Sequence, residues 1–157
     1  MNLKIGGIYR NYGKYVYNVA LGILRNKTEA EDITHDVFIK LFNALDSFRG
    51  ESDIKTYLYR MTVNKAIDLI RSNKLYNNKL EKIQVKGNNT FLKTELYNLL
   101  KTLDLEHKVP LLLAEIGGFS YKEIAEILNI NIGTVKSRIN RAINKLKNRA
   151  KEENDGL

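Results

Sequence analysis

Seven basic side chains and no acidic one lie between Gly133 and Lys151: Lys136, Arg138, Arg141, Lys145, Lys147, Arg149 and Lys151. A second stretch, Ser47 to Lys86, sets nine bases against four acids, with Arg49, Lys55, Arg60 and Lys65 in its first half. Between Thr28 and Asp46 the sign reverses: Glu29, Glu31, Asp32, Asp36 and Asp46 face a single Lys40. The chemistry such groups can do is recognition. Ammonium and guanidinium groups neutralise phosphates, and carboxylates seat against a basic protein surface. Little else in the chain is equipped to react. The absence of cysteine excludes a disulfide framework, a thiol nucleophile and any thiolate metal site. His35 and His107 stand alone, without metal-ligand spacing. The acids from Glu29 to Asp36 read as side chains favoured by a helix N-terminus rather than as a magnesium site. No serine is accompanied by His and Asp in a suggestive pattern, and no glycine loop is built to cradle a phosphate. The expectation is a protein that is not an enzyme, needs no cofactor and holds no metal.

Helices must position these groups, because almost the whole chain carries helical periodicity. Its 157 residues are 43 % apolar and 28 % charged, with a net charge of +8. That is a globular composition with an excess suited to a polyanion. No apolar run is long enough to span a bilayer and the N-terminus lacks a signal-peptide core, so no membrane insertion and a cytoplasmic location are expected. Ile5, Ile8, Tyr12, Tyr15, Val16, Val19 and Ile23 place a first helix over Leu3 to about Arg25. Thr28 and Glu31 read as a capping box opening a second helix, with Ile33, Val37, Phe38, Leu41, Phe42 and Leu45 inward. A third runs from Ile54 to about Lys74 with Leu58, Met61, Ile67 and Ile70 toward the core. The Asn- and Lys-rich stretch Asn73 to Asn89 reads as a flexible linker. The fold class is therefore all-α: two small helical domains joined by a linker, with EENDGL a frayed tail.

The strongest pattern is Phe119 to Lys147, FSYKEIAEILNINIGTVKSRINRAINKLK. Ser120 and Glu123 form a capping box, and Ile124, Ala125 and Leu128 point inward. Asn129 supplies the positive-φ residue of a tight turn, and the small Ala125 lets two helices approach. Asn131 caps the next helix, whose buried stripe is Val135, Ile139, Ala142, Ile143 and Leu146. Its opposite face offers Thr134, Lys136, Ser137, Asn140, Arg141 and Asn144, a surface suited to phosphates and major-groove base edges. This is a helix-turn-helix.

SYKEIAEILNINIGTVKSRINRAINKL resembles the promoter-reading C-terminal unit of bacterial sigma factors. AEDITHDVFIKLFNALDSFRG and TYLYRMTVNKAIDLIRS resemble the N-terminal unit of their extracytoplasmic-function subgroup. The likeness implies sigma region 2 over residues 1–74, a linker over 75–93, region 4 over 94–151 and a tail over 152–157. It implies that Glu31, Asp32 and Asp36, with Ile39 and Lys40 beside them, dock on core RNA polymerase. Phe48 and Asn64 match positions at a pocket for a base flipped from the −10 single strand. Arg49, Lys55, Tyr57, Arg60 and Lys65 are candidates for holding that strand. Lys136, Ser137, Asn140 and Arg141 match the face that reads the −35 duplex, with Thr134 and Arg138 completing the set. Implied partners are core RNA polymerase and promoter DNA, with an anti-sigma protein as a further partner class. Three positions depart from the pattern: His35 stands for a usual Gln, Tyr57 for a common Trp and Asp104 for a usual Pro. Two rival readings remain: a helix-turn-helix regulator that binds DNA without polymerase, and a single-strand-binding module using Arg49 to Arg71.

Overall fold

The computed structural model describes residues 2–47, 54–76 and 98–156, with side chains described over 5–47, 54–73 and 98–156. Phe48, Arg49 and residues 77–97, which take in most of the expected linker, lie outside the described residues, while positions 73–76 at its start are helical. Among those described there is helix and no strand. The chain divides into two compact units, Met1–Lys82 and Ile83–Leu157.

The first unit packs three helices against one another: α1 (Asn2–Leu24), α2 (Lys27–Ala44) and α3 (Ile54–Tyr76), with a single 3₁₀ turn, Leu45–Ser47, after α2. Helical spacing on α1 puts Val16, Val19, Ala20 and Ile23 on one face. They are buried with Ala30, Ile33, Val37, Phe38 and Leu41 of α2 and with Leu58, Tyr59, Val63 and Ala66 of α3. The expected inward set is corrected at its edges. Tyr15 and Phe42 are each 49 % exposed, and Met61, Ile67 and Ile70 only half-buried. The core side of α3 is instead the stripe 58, 59, 62, 63 and 66, which carries a tyrosine and a threonine. Thr62 is tolerated there because its hydroxyl donates to the Leu58 carbonyl at 2.8 Å, as Thr34 does to Ala30 at 2.7 Å. Burial pushes the Tyr59 phenol well above its usual range, so it stays neutral.

The junction between α1 and α2 also differs from expectation. Arg25 takes a left-handed conformation at φ 57° and ends α1. Asn26 is then the first extended residue, and its side chain accepts from the Glu29 N–H at 3.0 Å. The cap is thus Asn26 with Glu29 rather than Thr28 with Glu31. Asn is the stronger cap, and Thr28 already lies in the first turn.

The second unit holds α4 (Leu105–Glu115), α5 (Tyr121–Leu128) and α6 (Ile132–Asp155), preceded by helical residues 98–100. α6 packs on α4 and α5. Its buried residues Val135, Ile139 and Ala142 meet a core that includes Leu112 and Leu113 of α4, Phe119, and Ile124 and Ile127 of α5. Ile127 rather than Leu128 is the buried member of that helix's last turn. Part of the expected tail is helical, since α6 continues to Asp155.

Two glycines between α4 and α5 are needed for different reasons. Gly118 has φ 66°, which an L side chain resists, yet a Cβ there meets open space. At Gly117 a Cβ would fall 2.6 Å from Phe119 Cδ2 and 2.7 Å from the Leu113 carbonyl oxygen. Gly118→Ala should cost about 1–2 kcal/mol through backbone strain alone. Gly117→Ala should cost about 1–3 kcal/mol by displacing buried Phe119. Urea unfolding of the full chain measures both. Near-ultraviolet circular dichroism should change for the Gly117 variant only.

Candidate nucleic-acid and protein interfaces

The helix-turn-helix is positioned by polar punctuation that follows the sequence closely. Ser120 Oγ accepts from the Glu123 N–H at 3.2 Å, while the Ser120 N–H donates to the Glu123 carboxylate at 2.7 Å. Asn129 closes α5 at φ 53°, ψ 49°. Asn131 Oδ1 then accepts from both the N–H of Thr134 at 2.8 Å and its hydroxyl at 2.9 Å. These bonds fix where α6 begins, and helical spacing does the rest. Lys136, Ser137, Asn140 and Arg141 are all exposed and share one face, opposite Val135, Ile139 and Ala142. The face pairs two cations with an amide and a hydroxyl, which can bind phosphate oxygens and donate to base edges.

Three of the expected residues already have their side chains engaged within the protein, the Ser137 hydroxyl by donating to the Thr134 carbonyl at 3.2 Å. The Thr134 hydroxyl is engaged in the cap. Arg138 is half-buried at the flank of α6, its guanidinium 3.9 Å from the Glu106 carboxylate.

In the first unit, α2 turns Glu31, Asp32, Asp36, Ile39 and Lys40 all outward. Ile39 is 58 % exposed, and the exposed Phe42 lies one turn further on. Phe42 was missed as a surface residue because its spacing from Phe38 mimics core periodicity. The surface is therefore mixed, with carboxylates flanking two large apolar side chains, a composition common where proteins meet. On α3, Arg60 and Asn64 are exposed and four residues apart, so they share a face, with the half-buried Tyr57 one turn before Arg60. Lys55 is half-buried. The structure joins two residues with different expected partners, since Lys65 Nζ donates to Asp36 Oδ2 at 3.3 Å across α3 and α2. No sequence signal marks that pair, whose members are 29 positions apart.

An open groove of about 320 Å³ runs between α1 and α2, lined by Tyr9, Gly13, Lys14, Tyr17, Glu31, Thr34 and His35. Partial burial and then the Glu31 carboxylate raise the Tyr17 phenol above its ordinary value. No group of three or more His, Cys, Asp or Glu among the described residues could hold a metal ion. No described helix is long and apolar enough to cross a membrane.

Comparison with known proteins assigns both units to one family. Residues 8–76 match the family model for Sigma-70 region 2, and residues 93–146 the model for Sigma-70, region 4. The chain is 32 % identical to the ECF RNA polymerase sigma-E factor of Escherichia coli K12, over 82 % of this chain and 78 % of that one. It is 31 % identical to the RNA polymerase sigma factor YlaC of Bacillus subtilis, over 92 % and 90 %. Among solved structures it resembles the sigma factor RpoE in complex with the anti-sigma factor NepR from Bartonella quintana. There the TM-score is 0.80 at 23 % identity, covering 94 % of this chain and 97 % of that one. It also resembles CnrH in complex with the cytosolic domain of CnrY, with a TM-score of 0.77 at 24 % identity and coverage of 97 % and 90 %. With a region 2 followed by a region 4, and relatives of that architecture along most of its length, the chain belongs to the extracytoplasmic-function group of sigma-70 factors.

Proposed function

We propose that this chain directs bacterial core RNA polymerase to specific promoters by dividing recognition between its two units. The α4–α6 unit reads the −35 element as duplex, and the α1–α3 unit reads the −10 element as an opened strand. The observation that carries this reading is the segregation of exposed charge. The segment 133–151 has bases and no acid, whereas α2 exposes three carboxylates beside Ile39 and Phe42. One surface suits a polyanion and the other a basic, partly apolar protein surface. The protein acts in the cytoplasm with the polymerase, which performs the chemistry. An anti-sigma protein is a further partner class, as seen in the RpoE–NepR complex.

The residue roles follow from chemistry. Lys136 and Arg141 bind phosphate oxygens or guanine edges, and Ser137 and Asn140 supply shorter hydrogen-bonding groups to neighbouring bases. In the first unit, Arg60, Lys55 and Lys65 hold the phosphates of the separated strand, with Arg49 from the preceding segment. Phe48, Tyr57 and Asn64 offer the aromatic faces and the amide that an unstacked base can use. Glu31, Asp32 and Asp36 steer docking on the polymerase, and Ile39 and Phe42 supply the desolvated centre. The Asp36–Lys65 pair links these tasks. A basic partner surface that takes Asp36 releases Lys65 toward DNA, so polymerase binding and strand binding reinforce each other.

Co-purification with core polymerase, followed by run-off transcription from a promoter library, tests the reading as a whole. Stable association with selective transcripts is expected. Site-specific duplex binding by the protein alone, with no association with core, would replace it with a polymerase-independent helix-turn-helix regulator. Arg141→Ala should reduce discrimination at one −35 base pair by about 1–3 kcal/mol and leave affinity for core polymerase unchanged. Reversing Asp32 and Asp36 to Lys should do the opposite, weakening polymerase docking while the isolated protein keeps its −35 preference. Asp36→Asn should raise the free protein's affinity for a −10 single strand by about twofold to fivefold, the range of an exposed ion pair. Fluorescence anisotropy should show no such gain in a Lys65→Gln background.

A further inference from the structure

The start of α4 approaches α6 through charged side chains that the helix-turn-helix motif does not include. The Glu106 carboxylate lies 3.9 Å from the Arg138 guanidinium and 3.4 Å from His107 Nε2. The Asp104 carboxylate lies 3.9 Å from Lys145 Nζ and 4.0 Å from His107 Nδ1. Arg138 and Lys145 are seven residues apart, so they occupy the same edge of α6, about 10 Å apart along its axis. That edge lies between the buried stripe and the exposed face of Lys136, Ser137, Asn140 and Arg141, with Arg141 its immediate neighbour, three residues from Arg138 and four from Lys145.

We propose that Arg138 and Lys145 are positioning residues: with Glu106 and Asp104 they form a two-point clamp that sets the rotation of α6 and so aims its base-reading face. The proposal rests on the reading of that face as the −35 reader. Its physical basis is a difference in directionality. Close packing of Val135, Ile139 and Ala142 holds α6 against its neighbours and sets its approximate rotation, but that stripe is narrow and leaves the edge of Arg138 and Lys145 to be braced by directed contacts. Two charge pairs on one edge resist further rotation at both ends. A rotation of about 10° at a side-chain radius of about 5–6 Å moves a reading group by about 1 Å. That is enough to spoil a hydrogen bond whose useful range is about half an ångström. All four partners are partly exposed, from 29 % at Arg138 to 73 % at Asp104, so the pairs add little to stability. Their effect lies in orientation.

The test is a charge swap in the full-length protein bound to core polymerase. The probe is the duplex that the wild-type complex selects from a pool randomised at the −35 element, together with its single-base-pair variants. Arg138→Glu and Glu106→Arg should each reduce discrimination between selected and variant duplexes by about twofold to fivefold. The combined swap, which preserves net charge, should restore most of it. Arg138→Gln should leave the slope of log K against log salt concentration unchanged. A direct phosphate contact by Arg138 predicts the reverse: no restoration by the swap, and a slope reduced by about 0.9 for Arg138→Gln. Either result overturns the clamp. Asp104→Asn and Lys145→Gln, which remove the second pair without reversing charge, should lower discrimination in the same sense even if a reversal impairs folding. Unchanged discrimination in both would also overturn it. Arg141→Ala separates the two levels of the argument. If that variant retains full discrimination, the reading face is misassigned; if it loses discrimination and the swap fails to restore it, only the clamp is wrong.

Discussion

The two short helices of the second unit would not persist alone, and that constraint shapes the helix-turn-helix. α5 has eight residues and α4 eleven, short of the ~12–15 at which an isolated helix becomes marginal in water. Each is held by one apolar stripe buried against its neighbours. In α6 that stripe is Val135, Ile139 and Ala142, none more than 2 % exposed. Burying a valine or isoleucine contributes about 1.5–3 kcal/mol, whereas an exposed ion pair contributes about 0–1. The apolar stripe therefore decides whether α6 stays in place. Because the stripe is narrow, most of the helix circumference remains available to a partner, and this chain fills it with bases.

The turns convert those stripes into a geometry. Asn129 in a left-handed conformation and Asn131 as a cap fix where α6 starts and hence which residues lie opposite Val135. A shift of one residue at that start would rotate every side chain by about 100° and take Arg141 off the reading face. Arg25 does the equivalent work between α1 and α2, but it is neither Gly nor Asn and pays the steric cost of φ 57°. The second turn is legible from residue type because Asn tolerates that conformation. The first is not, which is why the cap was expected at Thr28 and found at Asn26.

Both units carry charge pairs that join helices, and in each a residue with an expected external partner is already engaged inside the protein. Lys65 meets Asp36 in one unit, and Arg138 meets Glu106 in the other. Such pairs are weak enough for a polyanion or a basic protein surface to replace them. They are strong enough to bias where a side chain points before the partner arrives. Exposed charge on these helices is therefore graded: Lys136 and Arg141 are exposed, while Lys65 and Arg138 are partly committed.

The sequence by itself determined the all-helical class, the helix-turn-helix with its capping box, and the side of α6 that faces outward. These depend on near-neighbour spacing, residue propensity and hydrogen bonds between positions three or four apart, all of which are local. Family likeness in two ordered segments determined the role. Only the tertiary structure decided that Phe42 lies on the surface, that Tyr59 and Thr62 lie in the core, and that Asp36 meets Lys65. It alone brought Asp104 and Glu106 of α4 to Lys145 and Arg138 of α6. Periodicity names a helix face without naming what covers it. An ion pair across 29 residues depends on how two helices cross, and that crossing is set by the packing of all the stripes at once.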